Sequence, residues 1–266
     1  MIPNVKTELK YADMFADIHA HLLDSAFDET REIIIRDLSS KGVSFIVENS
    51  TCPDDMIRAS KLAEKNSNIY AAVGIYPDFS FMYNRDVESV IKELVKKNKR
   101  TLVIGEIGLD YHYDDSPDRK IQIDCFEKQL ALAEELGVPV EIHSRDASED
   151  TLDIIKSSKV KGLMHCFSGS VETALNYIDL GFYISFGGVL TFKKTKKQIE
   201  VLKSIPKNRI LTETDCPYMA PEPKRGSVNE PAFIRYVIEK MSDILGMEYD
   251  DIESQTLKNA IEFLGI

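Results

Sequence analysis

Ligand-type side chains recur at the C-terminal ends of strand-like runs in this chain, and that recurrence restricts its fold more than any other feature. His19 and His21 close the run MFADIHAH. His143 ends GVPVEIH, His165 ends VKGLMH, Glu106 follows TLVIG, and Asp215 ends RILTETD. In a strand, residues i and i+2 share a face, whereas in a helix they point to nearly opposite sides. His19 and His21 therefore stand side by side only on a strand. Strand-end groups converge when the strands are parallel and close into a barrel, whose functional rim is the C-terminal one.

The rest of the chain supports that architecture. Apolar, strand-like runs cover 14–18, 43–48, 69–74, 102–105, 138–142, 162–164, 182–185 and 210–212. Amphipathic segments such as 28–42, 54–66 and 116–137 lie between them. The last of these carries Ser116 before Pro117 as a start signal and Gly137 as a stop signal. Eight strands alternating with helices define an α/β chain, a single (β/α)8 TIM-type barrel with a binuclear metal site at its C-terminal rim. The competing fold, an open doubly wound sheet, would suit an early Gly-rich phosphate fingerprint, which is absent. The 266 residues fit one barrel or two smaller domains. We assign 1–13 to an N-terminal arm and 14–266 to the barrel, with the Pro-rich stretch 218–231 as a loop bordering the site.

Composition narrows the setting. No window of about 18 apolar residues could span a membrane, and the polar N-terminus lacks the apolar core of a secretory signal. Cysteines at 52, 125, 166 and 216 have no C-x-x-C spacing, which fits a reducing, cytoplasmic location. A net charge of −11 argues against a broad basic surface gripping nucleic acid. It is compatible with a local site where bound cations supply the positive charge.

Four histidines and two carboxylates are more ligands than one tetrahedral zinc requires. They suit two divalent ions, with zinc, manganese or magnesium all compatible with mixed N/O ligation. Glu106 is the expected bridge. One ion takes His19, His21, Glu106 and Asp215, and the other takes Glu106, His143 and His165. Such a pair can activate a shared water and clamp a phosphoryl or carbonyl group. Asp215 and Glu106 are the candidate catalytic carboxylates, with Asp215 orienting the water and accepting its proton.

These motifs also carry a family resemblance. DIHAHL (17–22), GEIGLDYHYD (105–114), PVEIHSRDA (139–147), HCFSGS (165–170), GFYISFGGVLTF (181–192), ETDCPYMAP (213–221) and RGSVNEP (225–231) run in order along most of the chain. The sequence resembles the TatD family of metal-dependent deoxyribonucleases, within the amidohydrolase-like barrels. The resemblance places the family's metal ligands on the same six residues. It implies a metal-dependent phosphodiesterase, often a 3′→5′ exonuclease, with single-stranded DNA or another phosphodiester as substrate. Two departures stand out. Where relatives commonly read G-x-H-P, this chain has Tyr76, and where they often carry Asp or Asn after H-x-H-L it has Leu23, with Asp24 next. Tyr76 offers a neutral hydrogen bond in place of a cationic one.

Three residues are candidate substrate contacts: Arg145, as a bidentate phosphate ligand or a partner of Asp146, Glu149 or Asp150; Tyr76; and Ser168, as an anion-binding or helix-capping residue. Asp110 and His112 border Glu106 as solvated loop residues or substrate contacts. Glu213 is expected to support Asp215. The lysines at 193, 194, 196 and 197 form a solvated helix face or a DNA-backbone contact. A small-molecule amidohydrolase or lactonase is the alternative within hydrolases. A degenerate metal-binding protein acting through a partner is the alternative outside them.

Overall fold

The structure is a computed structural model that describes residues 14–266. The arm assigned to 1–13 lies outside the described residues. Eight strands form one parallel sheet in sequence order: β1 (Phe15–Ala20), β2 (Val43–Asn49), β3 (Ile69–Ala72), β4 (Thr101–Asp110), β5 (Val140–Arg145), β6 (Gly162–Met164), β7 (Tyr183–Phe186) and β8 (Ile210–Thr212). Between and after them run α1 (Arg31–Asp37), α2 (Pro53–Lys65), α3 (Arg85–Lys97), α4 (Arg119–Leu136), α5 (Ser148–Lys156), α6 (Val171–Asp179), α7 (Lys196–Ser204), α8 (Ile234–Leu245) and α9 (Tyr249–Leu264). This is the (β/α)8 barrel that the alternation predicts.

Closure comes from hydrogen bonds at the ends of β8 and β1. The Thr212 hydroxyl donates to the Ala16 carbonyl at 3.2 Å, and the Asp215 N–H donates to the His19 carbonyl at 2.9 Å. The His21 N–H donates to the Cys216 carbonyl at 2.9 Å. Two ligand-bearing segments, distant in sequence, are thereby stitched together.

The two ends of the barrel are built from opposite materials. Ile18, Val47, Ala72, Val103, Leu163 and Leu211 form an apolar plug inside the barrel. Leu257, Ala260, Phe263 and Leu264 of α9 pack onto it. The opposite, C-terminal ends of the strands carry the polar site.

Local signals place the elements with small offsets. The start of α4 is Asp118, whose carboxylate accepts from the Lys120 N–H at 2.8 Å, and not Ser116. A carboxylate directly before the helix takes the cap because it reaches the free N–H groups of the first turn. Gly137 ends the helix at φ 68°, as its position suggests.

Candidate metal centre

β1, β4 and β5 run further than their apolar patterns indicate, and the extra residues carry the site. The β4–β5 ladder continues through Gly108–His143, Leu109–Ser144 and Asp110–Arg145. Gly108 permits this, because a Cβ there would lie 2.0 Å from the His143 carbonyl oxygen. Two register shifts aim the ligands. Asp17 pairs with Ile46 but Ala20 with Glu48, so β1 holds one extra residue around His19. Ile104 pairs with Val140 but Ile107 with Ile142, so β4 holds one extra residue around Glu106. A bulge rotates the following side chains and is a common device for re-aiming a residue beside an active site.

The six expected ligands meet at this rim. His19 Nε2 and His21 Nε2 lie 2.9 Å apart. Asp215 Oδ1 is 3.6 Å from the first and 3.5 Å from the second. Glu106 Oε2 faces the same pair at 3.5 and 3.9 Å. Its other oxygen, Oε1, lies 3.0 Å from His143 Nδ1 and 4.0 Å from His165 Nε2. Glu106 thus turns one oxygen to each pair of imidazoles.

The charge balance of the cluster calls for cations. Among the described residues, no Lys or Arg nitrogen lies within 4.0 Å of the Glu106 or Asp215 carboxylates, whose partners there are imidazoles. Burial opposes ionisation of Glu106, but His143, His165 and His21 hold its carboxyl down at about 2. Burial and the neighbouring imidazoles push His19 well below its usual value, so it stays neutral with nitrogen lone pairs to offer. For His21, burial is outweighed by Asp215, Glu106 and Glu48, which push it up to about 9. Buried charge without a partner costs several kcal/mol. Nitrogen and oxygen donors packed this closely in a carboxylate field suit divalent ions, so the residues present fit the metal that their pattern implies.

A ring of further carboxylates orients the imidazoles. Glu141 bonds His19 Nδ1 at 2.5 Å. Glu213 accepts from His165 Nδ1 at 3.0 Å, from the Cys166 N–H at 2.8 Å and from the Ser185 hydroxyl. Glu213 therefore supports His165, not Asp215 as expected, because its side chain leaves β8 toward β6 and β7. Glu48 accepts from the N–H groups of Leu22 and Leu23 at 2.7 and 3.0 Å, fixing the turn after His21. Asp17 accepts from the backbone and hydroxyl of Thr214, just before Asp215. Glu48, Glu141 and Asp17 escaped the sequence reading. Their one signal is a carboxylate inside an otherwise apolar strand, as in FIVEN and VPVEIH, which is costly unless it is paired.

The remaining candidates divide. Asp110 is buried at the end of β4, 3.0 Å from His143 Nε2, and so belongs to the site and not to a solvated loop. The Tyr76 hydroxyl lies 3.2 Å from both Asp110 Oδ2 and His143 Nε2 and donates to the carboxylate, so Tyr76 faces the site with its donor already engaged. Arg145 makes no ion pair with Asp146, Glu149 or Asp150. It stacks over the Tyr113 ring at 4.9 Å and donates to that hydroxyl at 3.1 Å. His112 is exposed and pairs with Asp146 at 2.7 Å, away from the cluster. Ser168 is exposed on a cavity wall, and the cap of α6 is Ser170 instead. Asp24, next to Leu23, accepts from the Tyr218 hydroxyl at 2.8 Å. Lys196 and Lys197 are exposed in the first turn of α7.

The cluster borders two cavities. One of about 550 Å³ is lined by Arg145, Phe167, Leu190, Gln198 and Met219. A second, of about 350 Å³, is lined by Thr51, Asp78 and Phe79. Tyr76, His143, His165, Asp215 and Tyr218 face both. The loop after β8 reaches the first cavity because Gly188 has no side chain, since a Cβ there would meet the Met219 carbonyl oxygen at 2.0 Å.

Comparison with known proteins decides the family. The family described as TatD related DNase matches residues 16–265. The chain belongs to the TatD family. It is 41% identical over 250 residues to the metal-dependent hydrolase YabD of Bacillus subtilis, covering 93% of this chain and 97% of that protein. It is 33% identical over 251 residues to the metal-dependent hydrolase YcfH of Escherichia coli, covering 91% and 92%. The crystal structure of YjjV, a TatD homologue from E. coli, superposes with a TM-score of 0.88 at 27% identity, covering 95% of this chain and 98% of that one. This TatD-family chain is a metal-dependent hydrolase whose divalent-metal ligand groups cluster at one end of the barrel. No helix among the described residues is long and apolar enough to cross a membrane.

Proposed function

We propose that this TatD-family hydrolase cleaves phosphodiester bonds in nucleic acid, as a 3′→5′ exonuclease on single-stranded DNA using two divalent ions. The observation that carries the reading is the placement of Glu106, with Oε2 toward His19 and His21 and Oε1 toward His143 and His165. One ion would be held by His19, His21, Glu106 and Asp215, and the other by Glu106, His143 and His165. Zinc, manganese and magnesium all suit these donors. Water activation and neutralisation of phosphoryl charge are the chemistry such a pair supplies.

The protein groups divide the remaining work. Asp215, hydrogen-bonded through its backbone to His19 and with its side chain open to both cavities, accepts the proton of the attacking water. As the ester bond breaks, the leaving 3′-oxygen takes a proton from solvent, or the one Asp215 has accepted from the water. Arg145 has no carboxylate partner among the described residues and offers a planar fork to a phosphate. Ser168 adds a hydroxyl on the same wall. Tyr76 holds Asp110, which in turn holds His143, so its contribution to substrate is its ring face. Four free cysteines agree with work in a reducing cytoplasm.

The test is a time course on a 5′-labelled single-stranded oligonucleotide with Zn²⁺, Mn²⁺ or Mg²⁺. A ladder shortening from the 3′ end, lost on chelation and restored by metal, is expected. Arg145→Ala should raise KM by about tenfold or more, the scale of one charge-assisted hydrogen bond of about 1.5–3 kcal/mol. Hydrolysis of amides or lactones with no cleavage of any oligonucleotide would overturn the reading.

A further inference from the structure

We propose that the cavity of about 550 Å³ is a subsite for a nucleobase and that Gln198 is its specificity-determining residue. The inference rests on the reading of this chain as a nucleic-acid phosphodiesterase.

Gln198 behaves unlike the other glutamines. Gln122 bonds both the N–H and the carbonyl of Asp110. Gln129 does the same for Ile75. Gln255 donates to Asn259. These three amides serve the fold. The Gln198 side chain is half-buried on the cavity wall and has no hydrogen-bond partner among the described residues. A primary amide carries two donors and an acceptor, and those of Gln198, without a protein partner, are left to solvent or to a ligand in the cavity. An internal scaffold role is therefore absent, and a ligand-facing role is what the position offers.

The walls around it fit a flat heterocycle. Phe167, Leu190 and Met219 give an apolar lining, and Tyr113 presents a ring with the Arg145 guanidinium stacked on it. Bases are held on aromatic faces and guanidinium planes and are read along their polar edges by amide side chains. The volume lies within the range that encloses a single small ligand. His143, His165 and Asp215 form part of the same lining, so a nucleotide whose phosphate meets the cluster can place its base toward Gln198. Lys196 and Lys197, exposed in the same helical turn as Gln198, put two positive charges beside the residue that lines the cavity.

The experiment measures calorimetric binding of dAMP, dCMP, dGMP, dTMP and deoxyribose 5-phosphate to the Mn²⁺-loaded protein, its Gln198→Leu variant and its Gln198→Glu variant. The sugar phosphate should bind at least tenfold more weakly than the best nucleotide. The four nucleotides should differ from one another, and Gln198→Leu should shrink that spread by two- to tenfold, the scale of about one neutral hydrogen bond. It should leave the sugar phosphate unaffected. Gln198→Glu keeps the shape and loses donors, so it should shift preference toward bases that offer an amino group, guanine, adenine and cytosine, over thymine. Equal affinity for sugar phosphate and nucleotides would overturn the proposal, as would an equal loss for all ligands in both variants. Oligonucleotide cleavage by the parent is followed alongside. Cleavage with no base discrimination sinks the subsite and leaves the phosphodiesterase reading standing. Base-selective binding through Gln198 with no cleavage does the reverse.

Discussion

The two ends of the barrel use the same eight strands for opposite purposes. At the plugged end, Ile18, Val47 and Leu211 share one apolar cluster with Leu257, Ala260, Phe263 and Leu264 of α9, and the contacts are those of any folded core. At the open end, His19, Glu106, Glu141, His165 and Glu213 are buried too, yet each is polar. Burial at the first end stabilises the chain, whereas at the second it concentrates ionisable groups whose carboxylates are balanced by imidazoles or by bound cations. One end should therefore be sensitive to volume and the other to single atoms.

Atom-level changes at the open end should produce the largest effects. Asp215→Asn keeps the side-chain size and removes the proton acceptor. Turnover should fall by about 10²–10⁴, the usual cost of losing a general base, with the thermal midpoint nearly unchanged. Steady-state rates and calorimetry on the same preparation check this, and near-normal kcat at normal metal content would remove Asp215 from its catalytic role. The counterpart at the plugged end is Phe263→Ala. It should cost about 3–5 kcal/mol of stability, as for a buried aromatic truncated to Ala, while kcat per folded molecule holds. Denaturant unfolding paired with an activity assay separates the two quantities. If Phe263→Ala lowers kcat in the folded fraction, the ends are coupled.

Smaller effects are expected one step removed from the ligands. Glu213→Gln keeps an acceptor for His165 but loses the charge that orients it. Metal affinity should fall by about 10–100-fold, measured by competition with a chromogenic chelator, with little change in unfolding free energy. A stability loss without an affinity loss would make Glu213 a scaffold residue. Tyr76→Phe removes only the hydroxyl on Asp110 and should change kcat/KM by a few-fold. Tyr76→His, which restores the residue the resemblance implies, should give a few-fold increase on single-stranded oligonucleotide, larger at pH 6 than at pH 8 because imidazole is protonated mainly below about 6.5. A decrease at both pH values would mean that the hydroxyl bridge to Asp110 matters more than charge.

The same contrast explains which features were legible in the sequence. The barrel and the ligand positions could be read because each ligand ends an apolar, strand-like run. The carboxylates behind them were harder, since Glu48, Glu141 and Asp17 each resemble one polar residue in a half-exposed strand until both faces of the sheet prove buried. Glu213 was placed behind the wrong ligand because i, i+2 spacing suggested Asp215, whereas its side chain crosses to His165. The bulges at His19 and Glu106 depend on strand pairing, which one segment cannot reveal. Gly105 inside TLVIGEIGLD was the one local hint. The packing of the Arg145 guanidinium on Tyr113 could not be read either, because it depends on two segments that lie 32 residues apart in sequence.

The central claim is that the open end holds two ions through a shared Glu106. Elemental analysis of protein purified without chelator and equilibrated with Zn²⁺ or Mn²⁺ tests it most directly. Two equivalents per chain are expected for the parent, and about one for the His143→Ala/His165→Ala double variant, with the ion on His19, His21 and Asp215 retained. A parent that binds no metal, or a double variant that keeps two equivalents, would contradict the account.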